Sequence, residues 1–351
     1  ISGTHGKSST TSMLAHVLVE TGLDPSVIVG ANCPQIGGGW RVGGSDLLLA
    51  EACEYDRSFH HFHPTHAAIL NIEEDHLDIY GSLDEIVESF AHFASLLPDE
   101  GSLLIRHESP HRLDVSAGLN CPVETIGFAP LADWRIEMDS RGQVQLSSFG
   151  TGVAQWRNPL PGEHMAYNAA VAAVLAHRVG ADWSRIAPAI EGFEGLNRRM
   201  QRLGTLPRDG GEVIVIDDYG HHPTEVDTTL RALRQHHDPK RLVCVFQPHQ
   251  HSRTRFLLEA FAMSFTAADV VIVPHIYFVR DSEKERQAVH AADLVDRLRQ
   301  RGRQAMHLYP FEAIVLQLDM MLRPGDLLVT MGAGDVWKVA EQLIALGTAK
   351  R

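Results

Sequence analysis

Cysteine is scarce: the chain of 351 residues has four, Cys33, Cys53, Cys121 and Cys244. They lie far apart with no CxxC spacing. That argues against a disulfide framework or a cysteine-held zinc, and for reduced thiols in a cytosolic protein. Long apolar runs are missing too. None reaches the roughly 18 residues that a membrane-spanning helix needs, and no signal-peptide pattern is present. The expected location is therefore cytoplasmic, without membrane insertion. Lysine is rare: only Lys7, Lys240, Lys284, Lys338 and Lys350 among 31 basic residues, the rest being arginines. Arginine holds planar anions bidentately and stays charged. Positive charge is in deficit, with 44 acidic residues and a formal net charge of −13. That argues against nucleic acid or an anionic membrane as the main partner, but not against a local cationic pocket for phosphate. The chain opens at Ile1 rather than Met, directly against a glycine-rich loop, and reads as a fragment or a processed chain.

What is present is the balance of a globular protein, 44% apolar and 21% charged, at a length that suggests two domains. Short apolar runs alternate with helical periods, the signature of an α/β chain. Helices are expected at 8–21, 84–97 and 164–179, and strands at 47–50 and 67–72. The stretch 99–160 reads as β-rich and turn-rich, without resolved elements. Residues 192–212, rich in Gly and Arg, suit a domain joint. Beyond it, strands are expected at 212–216, 241–246, 269–273, 304–308 and 326–330. Helices fall between and after them, at 223–237, 252–266, 290–301, 311–322 and 335–346. That is a second, doubly wound unit. The apolar set Phe256, Leu257, Phe261 and Phe265 is assigned to its core.

The loop Gly3-Thr4-His5-Gly6-Lys7-Ser8-Ser9 stands immediately before the first helix. Glycines let backbone amides turn in around phosphate oxygens, Lys7 adds a point charge, and Ser8 offers a hydroxyl to Mg²⁺. Ile1 stands where a strict Walker motif has Gly. Glu51 and Glu54 follow one strand, and Glu73, Glu74, Asp75 and His76 follow the next. Ligands of open parallel sheets bind beyond the carboxyl ends of strands, so these loops are expected on one edge, as a site for Mg²⁺ and phosphate. The run His60, His61, His63 and His66 reads as a loop before a strand rather than a metal site. His236 and His237 read as the cationic end of a helix.

These residues carry a family resemblance. GTHGKSST, Glu51-Ala-Cys-Glu54, Asn71-Ile-Glu-Glu-Asp-His76, and Gly162-Glu-His164 with Asn168 resemble the Mur ligases, the ATP-dependent amide-forming enzymes of peptidoglycan synthesis. Asp217-Asp-Tyr-Gly-His-His-Pro-Thr-Glu225, Phe246-Gln-Pro-His249, Ser252-Arg-Thr254 and Gly332-Ala-Gly-Asp335 resemble the branch that adds L-alanine to UDP-N-acetylmuramate. The resemblance implies a central ATP-binding domain over 1–200 and a C-terminal amino-acid-side domain over 201–351. The family's N-terminal domain, which holds the uridine diphosphate end, would be missing. It implies ATP and Mg²⁺, no nucleic-acid partner, and a monomer or weak homodimer. Loop residues Gly3 to Ser9 would hold ATP, with Lys7 on its phosphates. Ser8, Glu51 and His76 would hold metal. Asn168 would contact adenine, Arg199 the nucleotide, and Asp218 the ribose. Tyr219, His221, His249 and Arg253 would line the substrate end. The family's metal-holding carbamylated lysine is impossible here, because no Lys lies between Lys7 and Lys240. Gln250 replaces an expected Arg, and Met165 a common Asn.

The implied reaction converts a carboxylate to an acyl phosphate, which an amine then attacks. Lys7, Mg²⁺ and Arg199 would offset the charge on the transferred group. His221 is a candidate base for the amine, and equally a candidate positioner. Three other readings compete. One is the family branch that recycles a murein tripeptide onto the same sugar nucleotide. The others are a nucleotide-binding remnant without catalysis and a plain P-loop kinase or ATPase.

Overall fold

The structure, a computed structural model, describes residues 1–76 and 79–349. It divides into two compact units, Ile1–Asn197 and Arg198–Arg351. No helix among the described residues is long and apolar enough to cross a membrane.

In the first unit the chain runs through α1 (Lys7–Glu20), β1 (Ser26–Cys33), β2 (Gly38–Arg41), β3 (Leu48–Ala50), β4 (His66–Ile69), α2 (Leu83–Ser95), β5 (Ser102–Arg106) and α3 (Arg112–Ser116). It continues with β6 (Val123–Gly127), β7 (Trp134–Met138), β8 (Gln143–Ser148), β9 (Thr151–Arg157), α4 (Glu163–Arg178) and α5 (Trp183–Glu191). Strands β2-β1-β3 form one sheet and β4 to β9, in order, another. The ladder β4 to β7 is parallel, and β7-β8-β9 is an antiparallel meander. Ile1 and Ser2 lie between β3 and β4: Ala52 N donates to Ile1 O at 2.8 Å and Ser2 N to Ala68 O at 2.8 Å. The loop that follows Ser2 therefore leaves the sheet between the two acidic loops.

Helix α1 is buried along its length from Ser8 to Leu18. It packs against α4, whose Ala166, Ala169, Ala170, Ala172, Ala173 and Ala176 are buried with it. Small side chains permit that close approach. A second core, with Phe59, Ile69, Ile86, Phe90, Phe93 and Ile105, lies under α2. Ser82 starts α2 by accepting the Glu85 amide, the usual N-cap arrangement.

The second unit runs β10 (Gln201–Arg208), β11 (Gly211–Asp218), α6 (Pro223–His237), β12 (Leu242–Phe246), α7 (His251–Phe256), α8 (Leu258–Ser264) and β13 (Val270–Val273). It ends with α9 (Glu283–Ala288), α10 (Ala291–Gln300), β14 (Gln304–His307), α11 (Phe311–Met321), β15 (Leu327–Met331) and α12 (Trp337–Ala349). The sheet order is β10-β11-β15-β12-β13-β14, parallel except for β10 against β11. Strands β12, β13 and β15 are buried at every position, which is why they read as unbroken apolar runs.

Four expectations need correction. Strands β1 and β2 were not anticipated. The stretch 192–212 holds the expected boundary between the units, at Asn197 and Arg198, but also contains β10, an edge strand that tolerates Pro207 because an edge need not donate a ladder bond at every residue. The helix expected over 252–266 is two helices, α7 and α8, meeting at Leu257. Phe261 and Phe265 are buried as expected, but Phe256 is 54% exposed, with the Arg255 guanidinium over its ring.

Candidate active site

In the first unit the site begins where the chain leaves Ser2, turns, and enters α1. Gly3 and Gly6 have φ of +137° and +83°, conformations that glycine adopts without steric cost. A Cβ on Gly6 would lie 2.9 Å from Asn168 Oδ1. Asn71 clamps the turn: its Oδ1 accepts His5 N at 2.7 Å and its Nδ2 donates to His5 O at 3.0 Å. Thr4 Oγ1 accepts Glu73 N at 2.9 Å, and His5 Nε2 lies 3.3 Å from Glu73 Oε2. Gly6 provides no side-chain cap to α1. A helix start of this kind is a ready anion site.

The acidic loops converge on this turn. Ser8 Oγ donates to Glu51 Oε1 at 3.0 Å, and Glu51 Oε2 accepts Gly30 N at 2.7 Å. Lys7 Nζ donates to Gly3 O (2.6 Å), Thr4 O (3.1 Å) and Glu54 Oε1 (3.0 Å). Burial works against the Lys7 ammonium. Glu54, with Cys53 and Glu51, outweighs it and holds the Lys7 pKa above the ordinary lysine value. Burial likewise opposes the Glu54 carboxylate, but Lys7 and His76 keep its pKa below the ordinary range. His76, at φ +55°, places Nε2 3.5 Å from Glu54 Oε1. Sequence reasoning counted Glu54 among the acids but gave it no role; its place three residues after Glu51 was the available signal. Ser9 and Asn168 are buried, with Asn168 Nδ2 3.8 Å from Met165 Sδ. The paired hydroxyl and carboxylate of Ser8 and Glu51 are hard oxygen donors, the set that Mg²⁺ accepts. His76 offers nitrogen, a donor less suited to that ion. Of the histidine run, His60 is tied to Ser89 O at 3.0 Å and stacks on Phe59, as a structural residue does.

In the second unit the site residues cluster at the carboxyl ends of β11, β12 and β15. Asp218 is buried: Oδ1 accepts Gly220 N at 2.7 Å and Oδ2 accepts Met200 N at 2.8 Å. Burial pushes its pKa up to about 6, against Arg199 and the two amides. The Arg198 and Arg199 guanidiniums lie 5.1 Å and 5.0 Å from the centre of the Tyr219 ring. Arg199 also reaches Glu225 Oε1 at 3.4 Å. Arg198, unremarked in the sequence, bonds Asp217 Oδ2 (3.1 Å) and Gly332 O (2.6 Å). His221 Nδ1 faces two acceptors, Tyr219 O at 3.2 Å and Glu225 Oε2 at 3.4 Å. Two acceptors at Nδ1 favour the tautomer that carries its proton there. His249 lies with its ring centre 5.9 Å from that of His221, and its Nδ1 accepts Arg253 Nη1 at 3.3 Å. Gln250 is buried at φ +67°.

The Mur ligase middle domain matches residues 1–176, and the Mur ligase glutamate ligase domain matches residues 198–334. The UDP-N-acetylmuramate–L-alanine ligase of Caldanaerobacter subterraneus is 37% identical over 98% of this chain and 74% of its own. That of Desulfitobacterium hafniense is 35% identical over 98% and 76%. The crystal structure of the UDP-N-acetylmuramate–alanine ligase of Thermotoga maritima covers 100% of the chain and 75% of its own at a TM-score of 0.80 and 23% identity, a likeness of fold. With matches spanning both units, the chain belongs to the Mur ligase family.

Proposed function

We propose that this protein joins L-alanine to the carboxylate of UDP-N-acetylmuramate at the expense of ATP, in the cytoplasmic stage of peptidoglycan synthesis. One observation carries the reaction class: Ser8 with Glu51 and Lys7 with Glu54, gathered at an uncapped helix start. The choice of sugar nucleotide and amino acid rests on kinship with relatives named for them. The ATP domain, expected over 1–200, corresponds to the unit Ile1–Asn197, and the amino-acid-side domain to Arg198–Arg351.

The substrate carboxylate attacks the terminal phosphorus of ATP, giving an acyl phosphate and ADP. The alanine amine then attacks the acyl carbon, and phosphate leaves. Lys7 exchanges contacts with the loop carbonyls and Glu54 for the phosphates. Ser8 and Glu51 would hold Mg²⁺, which would supply positive charge to the phosphates, and His76 beside Glu54 would be the candidate holder of a second ion. Asn168 sits on the adenine side, with Arg199 and Asp218 on the nucleotide. The attacking amine must be neutral, and His221 Nε2 takes its proton while Glu225 holds the ring from the other side. Tyr219, His249 and Arg253 bind the muramoyl end.

The test is phosphate release from ATP and Mg²⁺ by the chain restored with an N-terminal domain, given UDP-N-acetylmuramate and either L-alanine or a murein tripeptide, beside Lys7→Ala. Alanine-dependent turnover that is lost in the variant is expected. Turnover with tripeptide alone moves the protein to the recycling branch. ATP binding without turnover marks a remnant.

A further inference from the structure

Helix α7 carries Arg253 and follows His249, yet its start is poorly provided for. It is six residues long, and Gln250 at its N-cap has φ +67° and gives no side-chain hydrogen bond. Good caps take extended backbone angles and place a short side-chain oxygen on the next amides. Gln250 meets neither condition, so the first amides of α7 need an acceptor from elsewhere.

Asp281 supplies it from a distant loop. Its Oδ2 accepts His251 N at 2.5 Å, and its Oδ1 accepts Ser252 Oγ at 2.6 Å and Ser252 N at 3.3 Å. The Asp281 side chain is 2% exposed, and His251 Nδ1 lies 3.5 Å from it. Burial holds the His251 pKa below the ordinary histidine value despite this neighbour. Burial thus disfavours the charged imidazole, and the amides of α7 answer the carboxylate charge. The fold makes the meeting possible. β12 and β13 are adjacent parallel strands, so the loops after them run side by side. Gln250 N donates to Tyr277 O at 3.1 Å and Tyr277 N to Pro248 O at 2.8 Å, and the His249 and Tyr277 rings stack at 5.6 Å.

We infer that Asp281 is a positioning residue of the ligase reaction: it caps α7 with a buried carboxylate and so fixes where His249 and Arg253 stand. It acts through the helix, not on the substrate. The inference rests on the proposed function for its kinetic consequence, whereas the cap itself has a separate readout.

Four variants test it: Asp281→Ala, Asp281→Asn, which keeps one acceptor oxygen, Arg253→Lys, and Asp281→Ala combined with Arg253→Lys. Steady-state kinetics would separate UDP-N-acetylmuramate from ATP. Hydrogen exchange would follow the peptide spanning 249–256. Asp281→Ala is expected to lower kcat/KM for the sugar nucleotide by about tenfold or more, leave KM for ATP within about twofold, and speed exchange in that peptide. Asp281→Asn should recover part of both. In the double variant the loss should fall well short of the product of the single losses, because both changes act on one unit. Exchange as slow as in the wild type would overturn the cap. Fast exchange with unchanged kinetics, equal damage to both substrates, or fully multiplicative losses would overturn the positioning role. A wild-type protein inactive with L-alanine sinks the ligase reading itself, while exchange at His251 and Ser252 still decides the cap.

Discussion

Two buried carboxylates in this protein meet opposite fates. Glu54 has an ammonium within 3.0 Å and stays ionised, whereas Asp218 has only backbone amides in direct contact, and burial lifts its pKa to about 6. The ordinary value is 3.8. Between these values the folded chain holds a proton on Asp218 that the unfolded chain has released. Ionising this group therefore costs stability as pH rises through about 6, and the cost is absent below the unfolded value. Two pKa units correspond to about 3 kcal/mol. The melting-temperature difference between the wild type and Asp218→Asn should thus grow in favour of the wild type as pH is lowered from 7.5 to 5. KM for ATP in the wild type should rise below about pH 6, where the carboxylate is lost, and stay flat and high in the variant. A stability difference that does not move with pH would show that Asp218 titrates normally.

Helix α6 joins capping to catalysis. Glu225 Oε2 accepts His221 N at 2.9 Å and His222 N at 3.3 Å, closing a capping box, while the same carboxylate holds the His221 ring and Arg199. Its removal should do two separable things. Glu225→Ala should cost about 1 kcal/mol as a lost cap, read by denaturant unfolding. It should also lower kcat by about tenfold to a hundredfold as His221 loses its fixed tautomer, with the pH optimum shifted. Glu225→Gln should restore most of the stability and less of the rate. Equal recovery of both would reduce Glu225 to a cap alone. The helix bounds 223–237 and the buried strands 242–246, 270–273 and 327–331 were legible in the sequence, since Pro223 opens α6 and the strands are continuous apolar runs. Several of the elements that escaped have a broken burial pattern. β1 alternates irregularly and pairs through a bulge, β10 is a Gly- and Pro-containing edge, and α7 starts at a left-handed Gln capped from a distant loop. Such features depend on contacts remote in sequence. The loop Gly3–Ser8 and the acids after β3 and β4 were expected on one sheet edge; β3 and β4 belong to different sheets, yet Ser8 meets Glu51 and Lys7 meets Glu54. The pairing of Glu54 with Lys7, and of Arg198 with Asp217, needed the fold.

At the scale of the whole chain, each unit has its own core, gathered around α1 and α4 and under α2 in the first, and around the β11–β15 sheet in the second. Cores that share no residues need not melt together. Calorimetry should therefore resolve two transitions, split near Asn197 and Arg198. A ligand that binds only the folded state raises stability by RT ln(1 + [L]/Kd), about 2.7 kcal/mol at a hundredfold excess over Kd. For a unit of 150–250 residues that is a shift of roughly 5–10 °C. The loop, Ser8 and Glu51 all belong to the first unit. A non-hydrolysable ATP analogue with Mg²⁺ should therefore raise the first unit's transition by this amount and the second's by less. Chelating the metal should remove most of the shift, and Lys7→Ala should do the same with metal present. A shift confined to the second unit, or one indifferent to both changes, would place the nucleotide away from α1. The phosphate chemistry would then need a different home in the chain.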